Sequence, residues 1–388
     1  MDFELTAEQK MIQDMAKGFA VTHFAPIVEE YEAQEKCPTH LFQKTADCGF
    51  LGINVPQKFG GMGLDSVSQM LIVKELSKVW AGGTLSLIIV PNSLVAYSLA
   101  KYGTAEQIEK YLKPLIRGEK HGCFGLTEPN YGSHASGVKT KAHPPDISVF
   151  GSAYRINGEK TFITNVTFAD FILVLARTHL ADKDRPEYDG LTAFIVDIGA
   201  TCVTKEIKKI GLHSAPFGSI HFKDTFVSEE NILSKEGRGF KIFMDTLISG
   251  RIFIAAQAWG VAEAAFEDAL AYTKERRTFG KLLIDHQVVS HTLADMAMAV
   301  KEAEFWTLYA ASLKDSGAPD FRKWASAAKT RATESALFCA DKNVLIHGGM
   351  GYTREALAGR LWQEAKAFEI YEGANPIQKE IIARELKK

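Results

Sequence analysis

Much of what would announce a function is missing from this 388-residue chain. Its five cysteines (Cys37, Cys48, Cys123, Cys202, Cys339) are an odd number with no CxxC pair. Neither a disulfide framework nor a thiolate metal knuckle is therefore expected, and reduced thiols in a cytoplasmic setting are the simplest reading. Neither sign of charge is in excess: 45 Lys and Arg face 47 Asp and Glu. That excludes nucleic-acid binding driven by bulk charge. The longest unbroken apolar run, residues 171–176, falls far short of the roughly 20 residues a membrane span needs, so no transmembrane segment is expected. The start Met1-Asp2-Phe3-Glu4 is acidic, without the basic and apolar regions of a secretory signal. No GxGxxG, GxxxxGK[ST] or GxSxG occurs, which removes the usual dinucleotide, P-loop and serine-hydrolase signatures. None of the 11 histidines has an acidic residue three positions earlier, and His286 and His291 do not share a helix face, so no metal site is expected.

Proline is also scarce, but only in one half. Of 12 prolines, only Pro319 and Pro376 lie beyond residue 217, which permits long helices there. Val289, Leu293, Met296 and Val300 fall on one helical face, as do Ala262, Phe266 and Ala269. Ala328, Ala332 and Cys339 mark a third helix, and residues 355–367 a fourth. The middle of the chain is rich in Thr, Val, Ile and Phe in short runs. Asn157-Gly158 reads as a hairpin turn between Tyr154–Ile156 and Thr161–Ile163, with further strands at 171–176, 191–196 and 220–222. The N-terminal part is helical again. It has a capping box at Thr6–Gln9, helices over 66–80 and 91–102, and a glycine-rich loop over 57–65. The expected fold class is α+β. An N-terminal α-helical domain (1–121) precedes a middle antiparallel β-barrel or sandwich (122–235) and a C-terminal four-helix bundle (236–388).

Four blocks remain as carriers of chemistry. The first, Phe124-Gly-Leu-Thr-Glu-Pro-Asn-Tyr-Gly-Ser-His134, ends a strand in a turn able to bring backbone N–H groups and the hydroxyls of Thr127 and Ser133 against a planar ligand. Taken alone it is equally an ordinary β-turn. The second, residues 158–165, places Phe162 either on a ring system or in a barrel core. In the third, residues 276–281 followed by Gln287, Arg276 is either a phosphate clamp or a cation favoured by a helix C-terminus. The fourth, residues 347–352, is followed by Ile370-Tyr-Glu-Gly-Ala-Asn375. There Glu372, among apolar neighbours, either has the raised pKa a carbon-acid base needs or is a surface glutamate before a glycine.

Together, over essentially the whole chain, these blocks resemble the acyl-CoA dehydrogenase family, its short-chain members especially. The resemblance implies FAD, a homotetramer built as a dimer of dimers, an acyl-CoA substrate and an electron-transferring flavoprotein as acceptor. It implies that Glu372 removes the α-proton, that its backbone N–H helps hold the thioester carbonyl, and that the β-hydride passes to the flavin. Phe124, Leu126, Thr127, Gly132, Ser133, Phe162 and Thr164 would line the flavin. Arg276, Phe279, Gln287, Gly348 and Gly349 would meet the FAD of a neighbouring subunit. Ser133, Arg251, Glu372 and Gly373 would contact substrate. Family members with a relocated base carry Glu before the arginine matching Arg251; here that residue is Gly250, so the base stays at Glu372. The chain departs from the family pattern at His134, Phe162, Ile248, Leu345, Ala374 and Pro376.

The segment 85–99 should floor the acyl pocket. It is mostly apolar and free of Arg and Lys, which favours a short, branched or cyclic acyl group over a dicarboxylic one. An acyl-CoA oxidase, an enoyl-CoA reductase within an electron-transfer complex, and a catalytically silent binding subunit stand as alternatives.

Overall fold

The computed structural model describes residues 4–144, 153–179 and 186–387; the acidic start at Met1–Phe3 lies outside them. Helix α1 (Ala7–Phe19) opens on the expected capping box: Gln9 N–H donates to Thr6 Oγ1 and Thr6 N–H to Gln9 Oε1. Helix α2 (Ser66–Val79) is capped by Asp65, whose carboxylate accepts from Ser68 N–H.

The next helical segment, α3 (Ala81–Tyr102), corrects the expected helix over 91–102. It starts ten residues before Pro91 because residues Leu85–Ala96 wind with the wider i→i+5 pitch, which tolerates a proline inside. It is also the one helix among the described residues long and apolar enough to cross a membrane, although 83% of its most apolar window is buried in the protein. Its unbroken apolar runs are short because Ser86, Asn92, Ser93 and Ser98 interrupt the sequence, yet Asn92 donates to the carbonyls of Phe50 and Ile88, and Ser93 and Ser98 to those of Ile89 and Leu94.

The middle of the chain is a curled seven-stranded sheet. Its strands are β1 (Gly122–Gly125), β2 (Lys141–His143), β3 (Ala153–Thr164), β4 (Phe171–Arg177), β5 (Leu191–Asp197), β6 (Cys202–Glu206) and β7 (Phe217–Ser228). Most pairs are antiparallel, but β1 and β2 both run parallel to β4, so the all-antiparallel expectation needs amending. The predicted hairpin at Asn157-Gly158 is absent. Strand β3 continues through it with a bulge between Ile156 and Gly158, where Gly158 has φ +149° and an added Cβ would lie 2.6 Å from Thr140 Oγ1. Asn-Gly serves a bulge pressed against β2 for the same reason it serves a turn: it accepts unusual backbone angles.

The last part holds α4 (Gly239–Glu275), the short ribbon β8–β9 (Arg277–Thr278 and Lys281–Leu282), and helices α5 (Gln287–Asp315), α6 (Phe321–His347), α7 (Leu357–Phe368) and α8 (Asn375–Glu385). The periodic positions point inward as expected: Leu293, Met296, Val300, Ala328, Ala332 and Cys339 are buried. One continuous core joins both helical parts. It also takes one face of β4 and β5 (Phe171, Leu173, Leu175, Leu191, Ala193, Ile195), while their alternate residues (Ile172, Val174, Ala176, Phe194, Val196) fill the curl of the sheet.

Candidate active site

Glu372 lies in the turn between α7 and α8, in an uncommon conformation. It has φ +51° and the following Gly373 has φ +96°, two successive left-handed residues. This turn sends the carboxylate across to α4, directly over Gly250: a Cβ on Gly250 would collide with Glu372 Oε2. The missing side chain at 250, read in the sequence only as an inability to act, is the space the carboxylate occupies. Oε2 is buried and meets no hydrogen-bond donor among the described residues. Burial pushes the Glu372 carboxyl up to about 8, against the lowering pull of Lys329 and then Arg251. No acceptor among the described residues meets its backbone N–H either.

The surroundings hold this turn firmly. Gln378 donates to the carbonyl oxygens of Glu372 (3.2 Å) and Gly373 (2.9 Å). Tyr371 donates through its hydroxyl to Gln257 Oε1 (2.6 Å) on α4, and Gln257 donates to Ala81 O at the start of α3. Arg251, one residue past Gly250, is buried rather than set at a surface. Its Nη1 donates to Ser326 on α6, while its Nε has no partner among the described residues. Burial first, and then Arg322, pulls the Arg251 guanidinium down to about 10, and Glu372 opposes this.

The block 124–134 leaves β1 and is pinned by a pair that sequence reasoning missed. Glu128 accepts from Lys139 N–H (2.6 Å), Thr140 N–H (2.8 Å) and the fully buried Lys160 Nζ (2.8 Å), and Lys160 also donates to Leu126 O. Phe124 and Leu126 are nearly buried, with Phe124 against Phe243; Thr127 is half-buried, and Gly132 and Ser133 are exposed. His134 contacts Glu187 Oε2. Phe162 is not a barrel core residue: it is 57% exposed at φ +61°, beside a second β3 irregularity, and stacks on Phe217. An aromatic ring held outward in a strained conformation offers a flat apolar surface. Half-buried Thr164 is followed by Asn165, which exchanges hydrogen bonds with Ser86 of α3. Arg276, Phe279 (98% exposed), Gln287, Gly348 and Gly349 all lie exposed at helix ends and on the β8–β9 ribbon.

Three family models cover almost the whole chain: acyl-CoA dehydrogenase N-terminal domain over 6–119, middle domain over 123–225 and C-terminal domain over 237–387. The chain belongs to the acyl-CoA dehydrogenase family. Membership makes it an oxidoreductase, and FAD is the family's cofactor. It is 39% identical over 385 residues to the short-chain specific acyl-CoA dehydrogenase of Clostridium acetobutylicum, covering 99% of each chain. It is 38% identical to the caffeyl-CoA reductase-Etf complex subunit CarC of Acetobacterium woodii, covering 98% of each. The solved butyryl-CoA dehydrogenase of Megasphaera elsdenii matches with a TM-score of 0.93 and 39% identity, over the full length of both chains.

Within this acyl-CoA dehydrogenase, the residues that sequence reasoning overlooked are those whose partners lie far along the chain. Lys160 and Lys329 look like ordinary lysines in sequence. Each is fully buried in the structure, and nothing local signals it. Gln257 and Gln378 are equally silent until α3, α4 and the 372 turn are packed together.

Proposed function

We propose that this protein dehydrogenates a short, branched or cyclic acyl-CoA to the 2-enoyl-CoA, with Glu372 removing the α-proton. The observation that carries this reading is the Glu372 carboxylate: buried, unpartnered at Oε2, pressed against Gly250, and pushed toward neutral pH. A general base for a weak carbon acid works best with its pKa near the working pH. The unpaired N–H of Glu372 would donate to the thioester carbonyl oxygen, stabilising enolate character as the proton leaves. Gly373, Ser133 and buried Arg251 complete the proposed substrate contacts, with Arg251 also keeping positive charge beside the carboxylate.

FAD, when bound, would accept the hydride from the β-carbon. The residues present fit such a ring system: Phe162 offers an exposed face, Gly132 and Ser133 an open turn, and the Glu128–Lys160 pair fixes that turn to β3. Phe124, Leu126, Thr127 and Thr164 would complete this side. Arg276, Phe279, Gln287, Gly348 and Gly349 would meet the cofactor of a neighbouring subunit, and their exposure leaves them free to do so. We assign the cuts near residues 121 and 235 as domain borders and the assembly as a cytoplasmic homotetramer. Exposed apolar residues at one end of the bundle (Val288, Leu345, Met350, Tyr352) favour self-association, and the free thiols of all five cysteines favour a reducing compartment.

An electron-transferring flavoprotein is the proposed electron partner, since CarC is by name a subunit of a reductase-Etf complex. The same kinship carries a second reading, enoyl-CoA reduction by the same groups in reverse.

An anaerobic panel of acyl-CoA thioesters tests the proposal by bleaching of the flavin absorbance. Short, branched or cyclic substrates should bleach the purified protein, and Glu372→Gln should keep FAD yet lose bleaching. Bleaching of that variant at the wild-type rate would remove Glu372 as the base. No bleaching by any saturated thioester, with reoxidation of the chemically reduced flavin by an enoyl-CoA intact, would favour the reductase.

A further inference from the structure

Lys329 lies in the middle of α6 with none of its surface exposed. Its Nζ donates to Gly373 O (3.0 Å) and to Asn375 Oδ1 (2.9 Å), and Asn375 in turn donates through Nδ2 to Thr333 Oγ1 (3.0 Å), one helical turn further along α6. The ammonium thus grips the C-terminal side of the left-handed turn that presents Glu372, yet its oxygen partners are neutral. The carboxylate acting on it is Glu372 itself, with Glu369 behind; Arg251 acts in the opposite sense. Burying an ammonium without a directly bonded counter-ion is costly, and an apolar side chain of that length would pack there without the cost. Structural need alone leaves the charge unexplained.

We propose that Lys329 is a positioning residue for the reaction: it locks the Glu372–Gly373 turn so that the carboxylate stays over Gly250, and it sets the electric field in which that carboxylate loses and regains its proton. This inference rests on Glu372 being the base. The charged and titratable groups facing the carboxylate are Arg251 from α4, Lys329 from α6 with Arg322 behind Arg251, and Tyr371 and Glu369 from its own turn. Lys329 is the one among them that both bonds the turn and carries charge toward the carboxylate. Burial pushes the Lys329 ammonium well down from its usual range, so its charge responds to the state of Glu372.

The test uses FAD-loaded Lys329→Met and Lys329→Arg, with Glu372→Gln alongside. Anaerobic flavin reduction is followed across pH 5.5–9.5, with acyl-CoA affinity and melting temperature measured on the same samples. For Lys329→Met we expect a limiting reduction rate lower by about 10- to 100-fold with little change in affinity. Its rate–pH inflection should move to higher pH, because losing a positive neighbour favours the neutral carboxyl. Lys329→Arg keeps the charge while displacing the Gly373 carbonyl, so its rate should fall but its inflection should stay near the wild-type position. Folded Lys329→Met with an unmoved inflection and a rate within about twofold of wild type overturns the proposal. So does failure of both variants to fold or hold FAD, which would make Lys329 a support of the fold and nothing narrower. If Glu372→Gln still bleaches, the base assignment fails instead, whatever Lys329 does.

Discussion

Replacing Glu372 by Gln should make the protein more stable, by an amount that depends on pH. In the unfolded chain this carboxyl ionises near the ordinary 4.5, whereas burial holds it protonated to about 8 in the folded protein. A group whose folded pKa is raised contributes fully below the unfolded value and loses that contribution as pH climbs to the folded one. At pH 7 the climb from 4.5 amounts to about 2.5 pH units at about 1.4 kcal/mol each, or at most about 3.5 kcal/mol set against folding. Part of this returns in the variant, because Lys329 and Arg251 lose the partner that opposes their own desolvation. A net gain of about 1–3 kcal/mol is expected, read as a melting temperature higher by about 1–4 °C. Differential scanning of the FAD-loaded proteins from pH 5 to pH 9 measures it. The gap between variant and wild type should be small at pH 5, widen through pH 8 and then level off. A gap that is constant with pH, or that favours the wild type at pH 8, would refute the argument that the carboxylate is held at the expense of stability.

Two other perturbations test separate parts of the site. Gly250→Ala puts a methyl group where Glu372 Oε2 lies, so the protein should fold and bind FAD while anaerobic flavin reduction falls by about 100-fold. Lys160→Met strips Glu128 of its cation in a buried setting and should cost about 3–5 kcal/mol in denaturant unfolding, with FAD dissociating more readily because the turn after β1 is loosened.

The parts of the fold legible in sequence were those governed by local repetition. The 289–293–296–300 spacing and the Thr6–Gln9 box describe one helix each and need nothing else to be read. Errors arose where one local signal serves two structures. Asn157-Gly158 marks any site that needs unusual backbone angles, and only the neighbouring β2 decides between turn and bulge. Pro91 marks a helix start unless the pitch is widened, as it is over the fully buried residues Leu85–Ala96 of α3. In the candidate site, Glu372, Gly373 and the turn after β1 stood out because glycine and acidic residues in those settings are unusual. Lys329, Lys160 and Gln378 did not, since what makes them unusual is burial beside a segment distant in sequence. Gly250 is an intermediate case. Its lack of a side chain was visible, but the carboxylate filling that space was not.

Strand β4 has a consequence for anyone wishing to recombine this protein with its relatives. Its odd residues anchor in the helical core and its even residues in the curl of the sheet, so no cut on either side of it yields a piece with a finished surface. The three family segments read as separable cassettes along the chain, yet a chimera that exchanges the middle one alone inherits a mismatched seam along Phe171, Leu173 and Leu175. Exchanges that carry the facing residues of α3 and α4 together with the strand should fold; those that respect only the sequence borders should aggregate.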